Sequence, residues 1–427
     1  PLDTALAASW ALRSDDERRL LSAAAALPAG MSLEVAESLL AAKALTTLEA
    51  LEQASWLHPR RAATGATHWH LLSPTRRHIQ HHQPASPGDQ DRMALALSQR
   101  RSTDSLWASS EAHLARTLGE HRDSFAWAAR WLLQRSEHRP HAADAALNLR
   151  AAILFGGPLK VACAILAATS KDNNRYDLTI ATAELQIALS DPEAGRTLEA
   201  ASTLATTSTE RGRLSTLLCI HLQRGGDPEA AHAAGQRAVA QLHDAPLERS
   251  RALNTLGKVL RNLARLHEAH TAQSQALALC RELRAAGAEV DTAEVRVLDE
   301  LGSLLCQQGQ PAAAVKALTE AAARHRDIGD QPGLGRCLYQ LGAAAILAGD
   351  HAGAAANLRE ALQLQRLLGD RKLQASCHTN LGICASMLGR TLDAAAHLHA
   401  AADLHQAAGD QRGRVVCRRT VGMVHHV

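Results

Sequence analysis

A recurring small residue constrains this chain more than any other feature of its sequence. Gly257, Gly302, Gly342, Gly382 and Gly422 each follow Leu or Val, at intervals of 45, 40, 40 and 40 residues. In each complete unit a second small residue stands seven later (Ala264, Gly309, Gly349, Gly389). Alanine stands twelve and nineteen later, as Ala269 and Ala276, Ala314 and Ala321, Ala354 and Ala361, and Ala394 and Ala401. A period of this length corresponds to one supersecondary unit that cannot bury its apolar face alone, so successive units must stack. The pattern predicts a helical hairpin whose helices cross at the Gly, because small residues let backbones approach to the low end of the roughly 8 to 10 Å packing range.

The residue seven after the Gly is expected to begin the tight turn, and the two alanines, a heptad apart, share one face of the second helix. That helix ends in Gly329-Asp330, Gly369-Asp370 and Gly409-Asp410. Gly can terminate a helix in the left-handed conformation, and Asp can accept from the first amides of the next one. Upstream, Cys219 takes the place of the Gly, with Gly226, Ala231 and Ala238 at the expected offsets; fainter traces are Ala183 with Gly195, and Arg150 with Gly157 and Ala162. We expect seven hairpins and a final first helix carrying Gly422.

Composition agrees with many short helices: aromatic residues are 2% of 427. With 46 basic and 43 acidic residues, charge gives no reason to expect nucleic acid or an anionic membrane. Nor is there an apolar run or an N-terminal signal suited to a bilayer or to export, so a cytoplasmic location is expected. The eight cysteines form no CxxC pair; Cys337, Cys377 and Cys417 follow the repeat and are expected to fill one small buried slot on equivalent helices.

Residues 1–86 follow a different pattern. Ser14 with Glu17 forms a capping box, a second helix follows from Ser32, "ALTTLEALEQA" is a third, and "SWLHPR" and "HWHLLS" are candidate strands around a Gly-containing turn. Three helices and a two-stranded hairpin follow the winged-helix order. Eight basic and eight acidic residues in 1–86, with Glu49 and Glu52 and no cation on the third helix, argue against DNA binding there.

The small-residue code resembles the tetratricopeptide repeat over about 200–427, and more weakly over 140–200. It departs from the common form in its forty-residue period and in Gly-Asp replacing the usual terminal Pro. The N-terminal segment, with "WHLLSPTRRHI" and the helices of 113–135, resembles the region linking the nucleotide-binding module to the repeats in bacterial STAND-class regulators of the AfsR-like and LuxR-like kind. The resemblance implies an all-α fold: a right-handed superhelical array of tetratricopeptide hairpins preceded by a small winged-helix domain. The expected divisions are 1–86, connecting helices over 87–139, and repeats over 140–427. No GxxxxGK[ST] loop is present, so a phosphate-binding module is expected upstream of Pro1 and the chain is read as the C-terminal portion of a longer polypeptide.

Chemical motifs are sparse. His78, His81 and His82 lie at helical spacing but lack Cys or acidic partners nearby in sequence. His267, Glu268 and His270 fall one residue short of the zincin spacing, and His70 aligns only loosely with a phosphate-sensing His. No catalytic constellation is legible, and no enzyme activity, metal or cofactor is expected. The concave face of such an array, lined by first helices, is the better site. It would present Arg251, Asn254, Lys258, Arg261 and Asn262 in one unit, Arg336 and Tyr339 in another, Thr379 and Asn380 in a third, and Arg213 upstream. The N-terminal stretch is basic and amide-rich, suited to carboxylates and backbone groups of an extended peptide; further on, Ile346, Leu347, Ile383 and Met387 make it more apolar.

The expected function is a sensor and protein-interaction arm of a signalling or transcriptional regulator. It would bind a peptide, protein or small effector and act in cis on the upstream nucleotide-binding module. A DNA-binding transcription factor acting through the winged helix, and a freestanding adaptor, are the alternatives.

Overall fold

The forty-residue period is realised as pairs of helices joined by tight turns. The computed structural model describes residues 2–61, 65–99, 118–153, 157–407, 410, 411, 413, 415 and 417. Gly409, Gly422 and the start of the 113–135 segment lie outside them. The chain divides into two units, 1–205 and 206–427.

The first unit begins with α1 (Leu2–Ala11) and α2 (Asp15–Ala26). The Ser14 hydroxyl accepts from the Glu17 amide while the Glu17 carboxylate accepts from Ser14 N at 2.7 Å, which is the expected capping box. Next come β1 (Met31–Ser32), α3 (Leu33–Leu40), α4 (Ala44–Gln53), β2 (His58–Arg61) and β3 (Thr67–His70). Both expected strands form. The antiparallel sheet has a third member, in the order β1-β3-β2, with Met31 opposite Trp69 and Pro59 opposite Trp69 on the other side. Ser32 thus pairs in the sheet and also stands at the N-terminus of α3. Then follow α5 (Ser73–His82), α6 (Pro87–Gln99), α7 (Arg122–Leu133), and two further helix pairs, α8 (Arg139–Ala152) with α9 (Leu159–Asp172) and α10 (Tyr176–Leu189) with α11 (Ala194–Leu204). One apolar core runs through α2 to α10, from Leu20 and Leu48 through Met93 and Phe125 to Leu178.

The second unit contains five helix pairs. These are α12 (Ser208–Gly225) with α13 (Pro228–Gln241), α14 (Pro246–Asn262) with α15 (Leu266–Ala285), α16 (Asp291–Gln307) with α17 (Pro311–Ile328), α18 (Gln331–Leu347) with α19 (His351–Leu368), and α20 (Arg371–Met387) with α21 (Thr391–Ala407). With the two pairs of the first unit, the described residues hold the seven hairpins read from the repeat.

The glycines do what the period predicts. A Cβ on Gly342 would lie 2.6 Å from Leu358 Cγ, one on Gly382 2.7 Å from Leu398 Cγ, and one on Gly257 2.7 Å from Gln273 Cγ; on Gly302 it would strike Leu318. No real Cβ fits there, so the second helix packs directly on the backbone of the first. The alanines twelve and nineteen residues on, from Ala269 and Ala276 to Ala394 and Ala401, are fully buried. At the turns Gly309, Gly349 and Gly389 have φ between 72° and 84°, and Ala264 adopts the same conformation at 58° despite its Cβ. Gly329 and Gly369 cap their helices in the left-handed conformation. Asp330 accepts from Gly333 N at 2.9 Å and Asp370 from Leu373 N at 3.0 Å, so the dipeptide closes one helix and opens the next. The 45-residue interval is accommodated by the twenty-residue α15 and a turn at Gly287, where Arg284 meets the buried Glu294 and Arg281 and Arg324 stand 3.7 Å from it.

Candidate binding groove

In the second unit each first helix touches the next one, α12 with α14, α14 with α16, α16 with α18 and α18 with α20, whereas successive second helices hardly meet. A row packed more closely along one layer curves toward that layer. The first helices therefore line the inside, as in other helical-repeat superhelices.

Four cations expected there, Arg213, Arg251, Lys258 and Arg261, form a strip across α12 and α14, and the structure adds two carboxylates that periodicity did not indicate. Glu248, 7% exposed, receives Arg251 at 3.1 Å and Arg213 at 3.6 Å. Glu300 on α16 receives Lys258 at 3.0 Å and Arg261 at 3.1 Å. Two carboxylates among these four cations hold long side chains in place. Bracing of this kind lowers the entropy a ligand must remove when it meets a guanidinium. Between the two clusters Asn254, 6% exposed, donates to Arg296 O at 3.5 Å, while its Oδ1 is buried without a partner. Asn262 is exposed at the end of α14.

The remaining predicted residues lie further along the row and do not join this strip. Arg336 is exposed. Burial raises the pKa of the Tyr339 phenol, opposed by its hydrogen bonds to Ser376 and Asn380, so Tyr339 and Asn380 are brought together. Thr379 is 6% exposed and turned into the stack, donating to Ala375 O at 3.0 Å and facing Cys417 Sγ at 3.3 Å. Leu347 and Met387, each 62% exposed, supply the apolar surface expected toward the C-terminal end.

The histidine motifs resolve individually. His78 contacts Asp3 at 2.8 Å and lies against His82 with the two rings tilted at 46°, while His81 is exposed. Glu268 pairs with Arg265 rather than joining His267 and His270 in a site, and His270 approaches the Ser274 hydroxyl at 3.4 Å. Half-buried His70 is pushed to a lower pKa by desolvation and by Arg60, and lies against Gly30, where a Cβ would meet the ring. In the first unit, Glu52 on α4 accepts from Trp69 Nε1 at 3.0 Å, so this helix turns a carboxylate toward the sheet.

Sequence reading missed one side-chain cluster altogether. His325 on α17, 1% exposed, sits between Asp299 at 3.0 Å from its Nε2 and Asp330 at 3.1 Å from its Nδ1. Burial alone would lower its pKa, but the two carboxylates override this and push it up to about 9, while His325 in turn holds Asp330 below its ordinary value. A visible trace existed in "HRDIGDQPG" from His325 and "HQAAGDQRG" from His405, where Gly333 and Gly413 leave room that a Cβ would deny the imidazole. His405 repeats the contact, with Asp410 3.0 Å from Nδ1.

Residues 291–367 match the tetratricopeptide repeat family. No curated protein matches the chain. Among solved structures, a signal transduction ATPase with numerous domains (STAND) from Pyrococcus horikoshii, which has a tetratricopeptide repeat sensor, is similar over 99% of this chain and 67% of its own length, at 12% identity and TM-score 0.51. A Rap protein complexed with competence and sporulation factor is similar over 68% of this chain and 88% of its own (13% identity, TM-score 0.48), and apo RapI over 69% and 82% (11%, 0.49). None of the described helices is long and apolar enough to cross a membrane. An all-α array of helical hairpins, with tetratricopeptide repeats over 291–367, is thus the fold of this chain.

Proposed function

We propose that this chain is the sensor and protein-recognition arm of a cytoplasmic signalling regulator and has no catalytic role of its own. The observation that carries the reading is the braced strip on α12, α14 and α16: Arg213, Arg251, Lys258 and Arg261 held by Glu248 and Glu300 beside the half-satisfied amide of Asn254. Such a strip fits an extended peptide, whose carboxylates compete for the guanidinium groups and whose backbone amides satisfy Asn254 Oδ1. A small anionic effector would engage the same groups. Asn262, Arg336, Tyr339 and Asn380 complete the proposed groove toward the apolar end, with the buried Thr379 packed beneath it.

In this reading residues 1–86 form a winged helix, supported by α2, α3 and α4 followed by the antiparallel β2-β3 hairpin, with α1 preceding them. Residues 87–139 connect it to repeats over 140–427, and the N-terminal part transmits occupancy of the groove to a nucleotide-binding module in cis. Glu49 and Glu52 on α4 disfavour the alternative in which this segment holds DNA.

The test is capture of a pooled library of extended peptides carrying Asp or Glu at alternate positions by the full chain and by Arg251→Glu with Arg261→Glu. We expect the double variant to lose the acidic peptides while far-UV circular dichroism is unchanged. Equal capture by both chains would reject the groove, and a salt-sensitive shift of duplex DNA by the native chain would favour the transcription-factor reading.

A further inference from the structure

The forty-residue period places comparable positions of each hairpin around one buried slot: three before the crossing Gly, twenty-three after it, and five before the next Gly. Four such sets occur: Asn254, Cys280 and Val297; Asp299, His325 and Cys337; Tyr339, Gln365 and Cys377; Thr379, His405 and Cys417. In the second set all three side chains are common ligands of a thiophilic cation, and their ligand atoms lie within 4.8 Å of one another. We propose that Asp299, His325 and Cys337 form a binding site for a divalent cation of the zinc class.

The chemistry of the donors points to this class. A thiolate, an imidazole and a carboxylate suit zinc, whereas calcium and magnesium take oxygen donors. The ligands arrive from three different helices, α16, α17 and α18, so an ion would tie two successive hairpins together. Two atoms bound tetrahedrally to one zinc stand about 3.3 to 3.6 Å apart, given bonds of about 2.0 to 2.3 Å. Side-chain rotations that move the ligand atoms by about 1 Å therefore close the present spacing.

Asp330 lies 3.1 Å from His325 Nδ1, the position of the carboxylate that typically orients a ligating histidine and leaves Nε2 for the metal. The Oδ1 atom of Asp299 is buried without a hydrogen-bond partner, a polar atom that an ion would satisfy. Access is available through Asp299, whose side chain is 17% exposed and which holds the first-helix position of Asn254 in the groove. On binding, the Cys337 thiol and protonated His325 each release one proton to water. Two metal bonds replace the lost S–H and Nε2–H, and the net charge of the slot is unchanged.

Cobalt(II) titrated into the full chain after chelator treatment tests the site. We expect one equivalent of cobalt to produce a thiolate-to-metal charge-transfer absorption that zinc displaces. Surface histidines could bind cobalt but could not produce that band. His325→Gln copies Gln365 of the following hairpin, so it is expected to fold and to lose the absorption; Cys337→Ser should lose it too, and Cys377→Ser should keep it. Asp330→Asn, which can still cap α18, should weaken cobalt binding by about 10- to 100-fold. Absence of the band in the native chain, or its persistence in His325→Gln, would overturn the proposal.

Discussion

Gly342→Ala measures how much of the stability of the array depends on direct helix-on-backbone crossings. The new methyl would lie 2.6 Å from Leu358 Cγ and 2.8 Å from its Cδ2, and Leu358 is fully buried. Two approaches below 3.0 Å against a leucine with no free volume place the cost in the upper part of the overpacking range, about 2 to 3 kcal/mol. Replacing Gly by Ala within a helix returns about 1 kcal/mol. The net destabilisation is therefore about 1 to 2 kcal/mol. Gly225→Ala isolates the propensity term, because Gly225 is helical and exposed and a Cβ there meets nothing within 4 Å; it should stabilise by about 0.5 to 1 kcal/mol.

The decisive measurement is a double-mutant cycle with Leu358→Ala, followed by urea unfolding of the full chain. Shortening Leu358 costs about 2 to 5 kcal/mol alone but removes the atoms that the new methyl would strike. In that background Gly342→Ala should turn neutral or stabilising by up to about 1 kcal/mol, giving a coupling of about 1 to 3 kcal/mol. Because repeat arrays can unfold in stages, the comparison rests on midpoints of the same transition at constant slope. If Gly342→Ala destabilises equally with Leu and with Ala at 358, the close crossing is not the reason for the glycine.

Two other perturbations address different parts of the hairpins. Ala264 adopts φ of 58° where three equivalent turns use Gly; Ala264→Gly relieves about 1 to 2 kcal/mol of left-handed strain against about 0.5 to 1 of added unfolded-state entropy. It should raise the thermal midpoint, and a fall would show that the turn is not strained. His378 and His397 meet at 3.1 Å between α20 and α21, and burial, aided by His397 and Arg366, lowers the His378 pKa to about 4 from 6.5. The unfolded chain then binds more protons between those values, so this contribution is intact above pH 6.5 and lost as pH falls toward 4, by up to about 2 kcal/mol at pH 5. His378→Gln should flatten the drop in urea midpoint from pH 7 to pH 5; an unchanged drop would assign it to other groups.

The parts of this fold legible in the sequence are those where one position suffices to reveal the constraint. A crossing that tolerates no side chain leaves a glycine every forty residues, and a left-handed turn leaves Gly309, Gly349 and Gly389, so the hairpins follow from composition at single sites. β1 escaped because Met31 and Ser32 become a strand only by pairing with Trp69 and His68, far along the chain, and Ser32 carries an equally good signal as a helix start. Glu248 and Glu300 escaped for a related reason: Lys258 meets a carboxylate 42 residues away only because the next hairpin packs alongside. Periodicity also conceals function in a specific way. Positions that repeat faithfully, such as Ala314, Ala354 and Ala394, answer to packing that is the same in every hairpin. Positions that break the repeat are free of that demand, and the row Asn254, Asp299, Tyr339 and Thr379 changes chemistry at every step while keeping its place on the first helix. In a stack of near-identical modules, specificity must reside in such departures, because a feature shared by all hairpins cannot distinguish one stretch of the groove from another.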